Sequence, residues 1–453
     1  MKYFIFFLCI FSANLFSQSI NQRTKVDLTI YNQNLSLIRE ERTLQLKKGI
    51  STVVIPDIPS TIDGTSLHFV SLTDPTAVRV LEQNYQYDLV NQSKLFSKYV
   101  GKTIEFVRLN EETKKEFTVS GKLLSNVDGI VAEVNGKIEV NPAGKIVLPS
   151  LPEGLILKPQ LEWMVENDNA GEHKTEISYL AGNISWICDY VVLLNKDDNK
   201  LDITGWVTIT NNCGTSFHDA GLKLVAGEVN IEKKQFQNQL YRKEMMAMDY
   251  AAEPQFEQKE LFEYKLYSLK RHTDMNDNET KQLELASGKN VTAQKVFLYD
   301  GERKPKVGVY VQFKNEQKSG LGIALPKGKV RVYKKDDDGK EQFIGEDEID
   351  HTPKDEEIKL NLGNAFDIVG ERKLLDHSSF GNNSGKQTFE ITLRNHKKED
   401  IEVQVYEHPS GREWEILKFS DAWEKVDQST IKFIVKVKKD EEKKITYVYH
   451  YEW

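Results

Sequence analysis

Two neighbouring stretches limit what this chain can fold into. Trp186-Ile187-Cys188-Asp189-Tyr190-Val191-Val192-Leu193-Leu194 and Leu201-Asp202-Ile203-Thr204-Gly205-Trp206-Val207-Thr208-Ile209 flank the polar turn Asn195-Lys196-Asp197-Asp198-Asn199-Lys200. Large apolar residues recur at every second position, the period of a strand with one buried face. Centring a hairpin between Asp197 and Asp198 pairs Leu194 with Leu201, Val192 with Ile203, Tyr190 with Gly205, Cys188 with Val207 and Trp186 with Ile209. One face is then almost wholly apolar, and a slip of one residue would turn it to water. Tyr190 would lie over the bare Gly205, covering a strand glycine with an aromatic ring. Trp186, Tyr190, Gly205 and Trp206 are therefore read as structural residues.

The same period recurs along the chain, in Val26-Asp27-Leu28-Thr29-Ile30-Tyr31, Thr103-Ile104-Glu105-Phe106-Val107, Ile401-Glu402-Val403-Gln404-Val405 and Ile431-Lys432-Phe433-Ile434-Val435. The fold class expected is all-β: several β-sandwich, immunoglobulin-like domains with a small barrel of the SH3 or OB kind inserted near the N-terminus. The 453 residues fit about three domains at roughly 150 each. The expected division is a signal peptide at 1–17, an N-terminal sandwich at 20–87, a small barrel at 88–158 and a central sandwich at 160–328. A C-terminal immunoglobulin-like sandwich at 329–453 completes it. Residues 88–99 read as a short helix with Leu89, Leu95, Phe96 and Tyr99 on one face. Alternation fails over 232–260, which holds Met245, Met246 and Met248 and reads as a flexible insertion that could instead serve as an adaptable docking surface.

The opening residues, Lys2 followed by an apolar run and then Ser12, Ala13 and Ser17, have the three parts of a signal peptide. No later segment is apolar enough for a membrane helix. The expected location is therefore the periplasm or surface of a Gram-negative-type bacterium, with peripheral membrane association left open. Cys9 falls inside the signal run. Cys188 and Cys213 are expected free, because the hairpin register leaves them on the order of 20 Å apart, too far for a disulfide. A net charge of −8 without a basic face excludes nucleic acid as a partner. A protein or an envelope polymer remains as the expected partner class.

The words Ser178-Tyr179-Leu180, Ser185-Trp186, Asp189-Tyr190, Gly205-Trp206-Val207-Thr208-Ile209-Thr210-Asn211-Asn212 and Leu222-Lys223-Leu224-Val225-Ala226-Gly227 resemble the bacterial family catalogued as domain of unknown function 4139. So do Asn278-Glu279-Thr280-Lys281-Gln282, Gly345-Glu346-Asp347, Ile349-Asp350-His351-Thr352-Pro353-Lys354-Asp355 and Gly370-Glu371-Arg372, while Ile30-Tyr31-Asn32-Gln33-Asn34-Leu35 resembles the segment that precedes them in longer members. The resemblance implies an exported, β-rich envelope protein; some members carry a mucoidy-inhibitor label. The family lends no catalytic residue.

Candidate sites follow from residue type. Glu346, Asp347, Glu348, Asp350, His351, Asp355, Glu356 and Glu357 form the densest cluster. Glu346, Asp347 and Asp350 could offer oxygen ligands to a cation, although the calcium-loop spacing is missing and a solvated acidic loop is the plainer explanation of the run. Asp350, His351, Lys354 and Asp355 could bind a partner, as could Glu279 and Lys281 unless they only start a strand. Glu371 and Arg372 could present a bidentate guanidinium to a carboxylate, or pair within the molecule. His173, His218, His272 and His408 have no partner that sequence can nominate. With no His-Glu-x-x-His, Gly-x-Ser-x-Gly, phosphate-loop or dinucleotide motif, no cofactor is implied. The expectation is binding or scaffolding; the alternatives are an extracytoplasmic hydrolase acting on envelope polysaccharide or peptide, and an outer-membrane barrel component, suggested by the alternating aromatics that end at Trp453.

Overall fold

In the computed structural model the described residues are 21–453, apart from 228, 230–254 and 382. The strands Ile184–Leu194 and Lys200–Asn211 pair in the expected register, Tyr190 opposite Gly205 and Cys188 opposite Val207. Trp186, Tyr190, Val192, Ile203, Val207 and Ile209 are all buried on one face, whereas Trp206 lies half-buried on the other. A Cβ on Gly205 would come within 2.9 Å of the Tyr190 ring, so only glycine admits that ring. Cys188 and Cys213 are free and buried, and burial pushes both thiols up to about 12.

This hairpin joins a sandwich whose other sheet begins with the first strands of the chain. That sheet runs Phe256–Leu261, Tyr264–Leu269, Phe217–Ala226, Arg23–Tyr31, Leu35–Leu46, Gly171–Gly182, Ile62–Ser71. Its centre is a parallel pairing, Leu28 opposite Leu222 and Ile30 opposite Leu224. One continuous core runs from Val26 through Trp186 and Leu222 to Leu360. The expected separation of 20–87 from 160–328 is thus corrected: strand Arg23–Tyr31 has one paired edge on Leu35–Leu46 and the other on Phe217–Ala226, so neither stretch has a core of its own. The boundary at 328/329 is also moved. Strand Gly328–Lys335 pairs in parallel with Ile184–Leu194, and Glu357–Asn364 pairs with Gly308–Lys314; a second core takes over from Ile368 onward and also includes Phe297 and Tyr299. Of the insertion expected at 232–260, residues 232–254, with the three methionines, lie outside the described residues; Phe256–Leu261 is a strand paired with Tyr264–Leu269.

Strand Glu279–Tyr299 links the two cores. Its first half pairs with Lys200–Asn211, and its last residues pair in parallel with Ile401–Glu407. The C-terminal sandwich packs Ile401–Glu407, Ile431–Val437 and Trp423–Lys425 against a sheet ordered Ile368–Phe380, Ser384–Asn395, Glu442–Glu452, Glu413–Phe419. The small N-terminal unit is preceded by helix Gln92–Tyr99, whose Lys94 N–H is capped by Asn91 Oδ1 at 2.9 Å. Leu89 sits outside the helix, bridged to Ile156. Its five strands run Lys145–Val147, Thr103–Leu109, Glu116–Ser125, Val131–Val134, Lys137–Val140, with the end strands unpaired, so the expected small barrel is an open sheet. It is strongly curled: Arg108 reaches Glu139 at 2.5 Å across two intervening strands. Likewise, among the described residues no sheet closes on itself.

Candidate functional site

The two sheets of the C-terminal sandwich differ in length. Strands Ile368–Phe380, Ser384–Asn395 and Glu442–Glu452 have 13, 12 and 11 residues, against 7 each in Ile401–Glu407 and Ile431–Val437 and 3 in Trp423–Lys425. At about 3.3 Å per residue, the longer sheet overhangs its partner by roughly 15 Å. Alternation places Phe389, Ile391, Ile445, Tyr447 and Tyr449 on the inner face, where all are buried. Tyr451 continues that face onto the overhang.

The floor of this end is an ionic cluster between the sheets. Arg372 Nε donates to both carboxylate oxygens of Glu407, at 3.1 and 2.9 Å. The Arg372 guanidinium lies 3.8 Å from the centre of the Phe389 ring, and the Tyr447 hydroxyl donates to Glu407. Desolvation dominates at the fully buried Glu407 and holds its pKa above the ordinary glutamate value, despite the opposing pull of Arg372 and Tyr447. The same burial, reinforced by the Glu407 charge, drives the Tyr447 phenol far up. Beside it, His408 Nε2 meets Asp300 Oδ2 at 3.0 Å and His408 Nδ1 lies 3.3 Å from Thr430 Oγ1.

Beyond the floor lies an aromatic row. Tyr451 is paired with Gly385 on one side and Trp414 on the other. The His377 and Tyr451 rings are 6.4 Å apart at 59°; those of Trp414 and Trp423 are 6.4 Å apart at 57°. Trp414 Nε1 donates to the Gln428 carbonyl at 3.0 Å, and the Lys425 ammonium sits 4.9 Å from the Trp414 ring. Tyr451, Trp414 and Trp423 are half-buried, while His377 and Ser379 are exposed.

A separate groove of about 340 Å³ opens where Lys200–Asn211 and Ile401–Glu407 stop along the same edge of Glu279–Tyr299. Asp197, Asp198, Lys295, Phe297, Asp400 and Glu402 line it. Asp198 accepts from Lys295 at 2.5 Å and from Lys334; burial opposes its charge, but these two ammonium groups outweigh that and lower its pKa.

The residues nominated from sequence do not converge. Glu346 and Asp347 are consecutive in strand Glu341–Ile349 and so point to opposite faces. Glu346 pairs with Lys329 at 3.0 Å, whereas Asp347 accepts from the Asn361 N–H at 2.6 Å. Asp350 accepts the His351 N–H at 2.8 Å, and His351 Nδ1 takes the Lys327 N–H at 3.1 Å. Lys354 and Asp355 are exposed in the following turn. The candidate cation site at Glu346, Asp347 and Asp350 is not assembled, and among the described residues no group of three or more His, Cys, Asp or Glu could hold a metal. Glu279 begins its strand and accepts the Asn276 N–H at 2.7 Å, and Lys281 donates to the Asp274 carbonyl. Glu371 pairs with Lys373 at 3.1 Å and Arg394 at 3.4 Å. Only Arg372 enters a site, through the single Nε–H it shares between the two carboxylate oxygens of Glu407. Sequence reading missed His377, Trp414 and the Asp300–His408–Thr430 chain. The alternation of Tyr447, Tyr449 and Tyr451 was the available signal for the aromatic row.

No protein-family model and no curated protein matches the chain.

Proposed function

We propose that this chain is an exported protein of the bacterial envelope, in the periplasm or on the surface, that acts by binding or scaffolding a partner. The observation that carries the reading is the overhang of the C-terminal sandwich: an inner sheet face that ordinarily would be covered ends in the half-buried Tyr451 and Trp414 and the exposed His377. Aromatic side chains with a polar edge are the usual anchors of binding surfaces. The signal-like first 17 residues and the resemblance to the family of unknown function 4139 support the location. Export is tested by fractionating cells that make the full chain: recovery of mature protein outside the cytoplasm is expected, and cytoplasmic retention of the unprocessed chain would end the reading. Affinity capture from envelope extracts tests binding. Loss of the captured partner on Tyr451→Ala with Trp414→Ala is expected, and unchanged capture would place binding elsewhere.

One observation favours a second reading, hydrolysis. Asp300, His408 and Thr430 stand in the carboxylate–imidazole–hydroxyl order of an activated nucleophile. Thr430 is 6% exposed, which bars a substrate from its hydroxyl unless the neighbouring loop moves. Turnover of fluorogenic esters or peptides that disappears in His408→Ala would establish this reading in place of binding.

A further inference from the structure

We infer that Asn135 is a site of spontaneous modification: the Gly136 nitrogen closes on its carboxamide, and the folded chain sets the rate through the pair between Arg108 and Glu139.

Asn135-Gly136 is the one Asn-Gly dipeptide in the chain. It forms the whole loop between Val131–Val134 and Lys137–Val140, with Val134 opposite Lys137. Both residues have positive φ, 50° and 73°, as a two-residue type I′ turn requires. Both are exposed, and nothing lies within 4 Å of where a Gly136 Cβ would stand. Among the described residues the Asn135 carboxamide has no hydrogen-bond partner.

The chemistry needs only water besides these two residues. The Gly136 nitrogen attacks Asn135 Cγ, a C–N bond forms, and the side-chain nitrogen leaves as ammonia, taking the Gly136 proton with it. Water then opens the cyclic imide at either carbonyl, giving aspartate or isoaspartate. Glycine favours the step because it has no Cβ to crowd the new ring. The turn opposes it: ψ at the first central residue of a type I′ turn is about +30°, which holds the Gly136 nitrogen away from Cγ. The turn must therefore open before the ring can close.

Little holds it shut. Lys137–Val140 is an edge strand of four residues. Ile138 and Val140 are 70% and 71% exposed, and none of the strand's side chains belongs to the buried core of this unit. Glu139 points inward to Arg108 at 2.5 Å, the strand's one ion pair among the described residues. The far end is pinned, since Asn141 N–H donates to the Ile130 carbonyl at 2.6 Å and Ile130 N–H to Asn141 Oδ1 at 3.0 Å. The strand thus frays from the turn, with Arg108 as the brake. Aspartate keeps the loop length and tolerates the positive φ. Isoaspartate carries the chain through Cβ, lengthens the loop by one atom and displaces Lys137 from Val134.

The test holds the full chain folded in mildly alkaline buffer, digests it with trypsin at intervals and sequences peptide 123–137 by mass spectrometry. Acid at position 135 is expected to accumulate ahead of every other asparagine. The same site in urea should react several-fold faster. Arg108→Ala and Glu139→Gln should each speed the folded reaction about threefold, the size of a half-exposed ion pair. Glu139 is outside the core, so its variant reports even if Arg108→Ala fails to fold. An intact Asn135 in the folded chain, equal rates with and without urea, or a folded rate indifferent to Glu139→Gln would overturn the assignment.

Discussion

Two buried glutamates, one in each large core, resolve the same electrostatic problem in opposite directions. Glu40, fully buried in strand Leu35–Leu46, contacts Arg23, accepts from Arg42 at 3.0 Å and takes the Tyr179 hydroxyl at 2.8 Å. Desolvation is the largest influence and opposes its charge, yet Arg42 and Arg23 together outweigh it and hold the pKa below the ordinary value. Glu407 is as buried and also has a tyrosine, but only one arginine engages it directly, and its pKa stays above the ordinary value. One guanidinium does not repay the burial of a carboxylate; two do. The N-terminal cluster is therefore a tie between distant chain segments, since Arg23 also donates to the Asp57 carbonyl at 2.8 Å and the Ser216 carbonyl at 3.1 Å. The C-terminal cluster is a weaker floor beneath an open end.

The sharpest test is Glu40→Gln. Neutralising it leaves two largely buried arginines without a counter-charge, and a loss of about 3–5 kcal/mol in urea unfolding is expected. Glu407→Gln should cost less, about 1–2 kcal/mol, because Arg372 remains partly exposed and has Glu302 3.8 Å away. Equal losses would break the contrast. Arg372→Met is expected to fall between them near neutral pH and to cost less in mild acid, where Glu407 can take up a proton. A cost independent of pH would contradict its assigned role.

The two clusters should also respond oppositely to acid. The lowered pKa of Glu40 means its contribution is present above the ordinary value of 4.5 and is withdrawn as pH falls through the folded pKa. The raised pKa of Glu407 means its contribution is full below 4.5 and is lost as pH rises through the folded pKa. Hydrogen exchange, corrected for its intrinsic pH dependence, should then show strand Leu35–Leu46 weakening below that value. Strand Ile401–Glu407 should weaken above it. Parallel profiles would refute the assignment. The smallest effect belongs to Arg79→Ala: its pair with Glu166 is largely exposed, so no measurable shift in the unfolding midpoint is expected.

Much of the fold was legible because alternation is a local property. The hairpin register, residue by residue, and the β-only architecture follow from which side chains must leave water. The unit boundaries did not follow, because strand Arg23–Tyr31 looks self-sufficient until its partner Phe217–Ala226 is known. The site was legible in part. Arg372 was nominated, and its pairing within the molecule was one of its two readings. Glu407 was hidden as an ordinary inward position of a strand, and His408 as a loop histidine. The acidic run near Asp350 attracted attention through density alone; strand geometry sends its members to opposite faces.

Which face of each strand is buried was written into the chain itself, since a two-residue period leaves each side chain only two directions. Which strands lie side by side was decided by the folded whole. Leu28 meets Leu222, and Tyr190 meets Val330, in parallel pairings between segments far apart in sequence. Such contacts gain nothing until both buried faces close on one another, so no local pattern announces them. The overhang that leaves Tyr451 only half-buried has the same origin: it is a difference in length between two sheets that only stacking brings face to face.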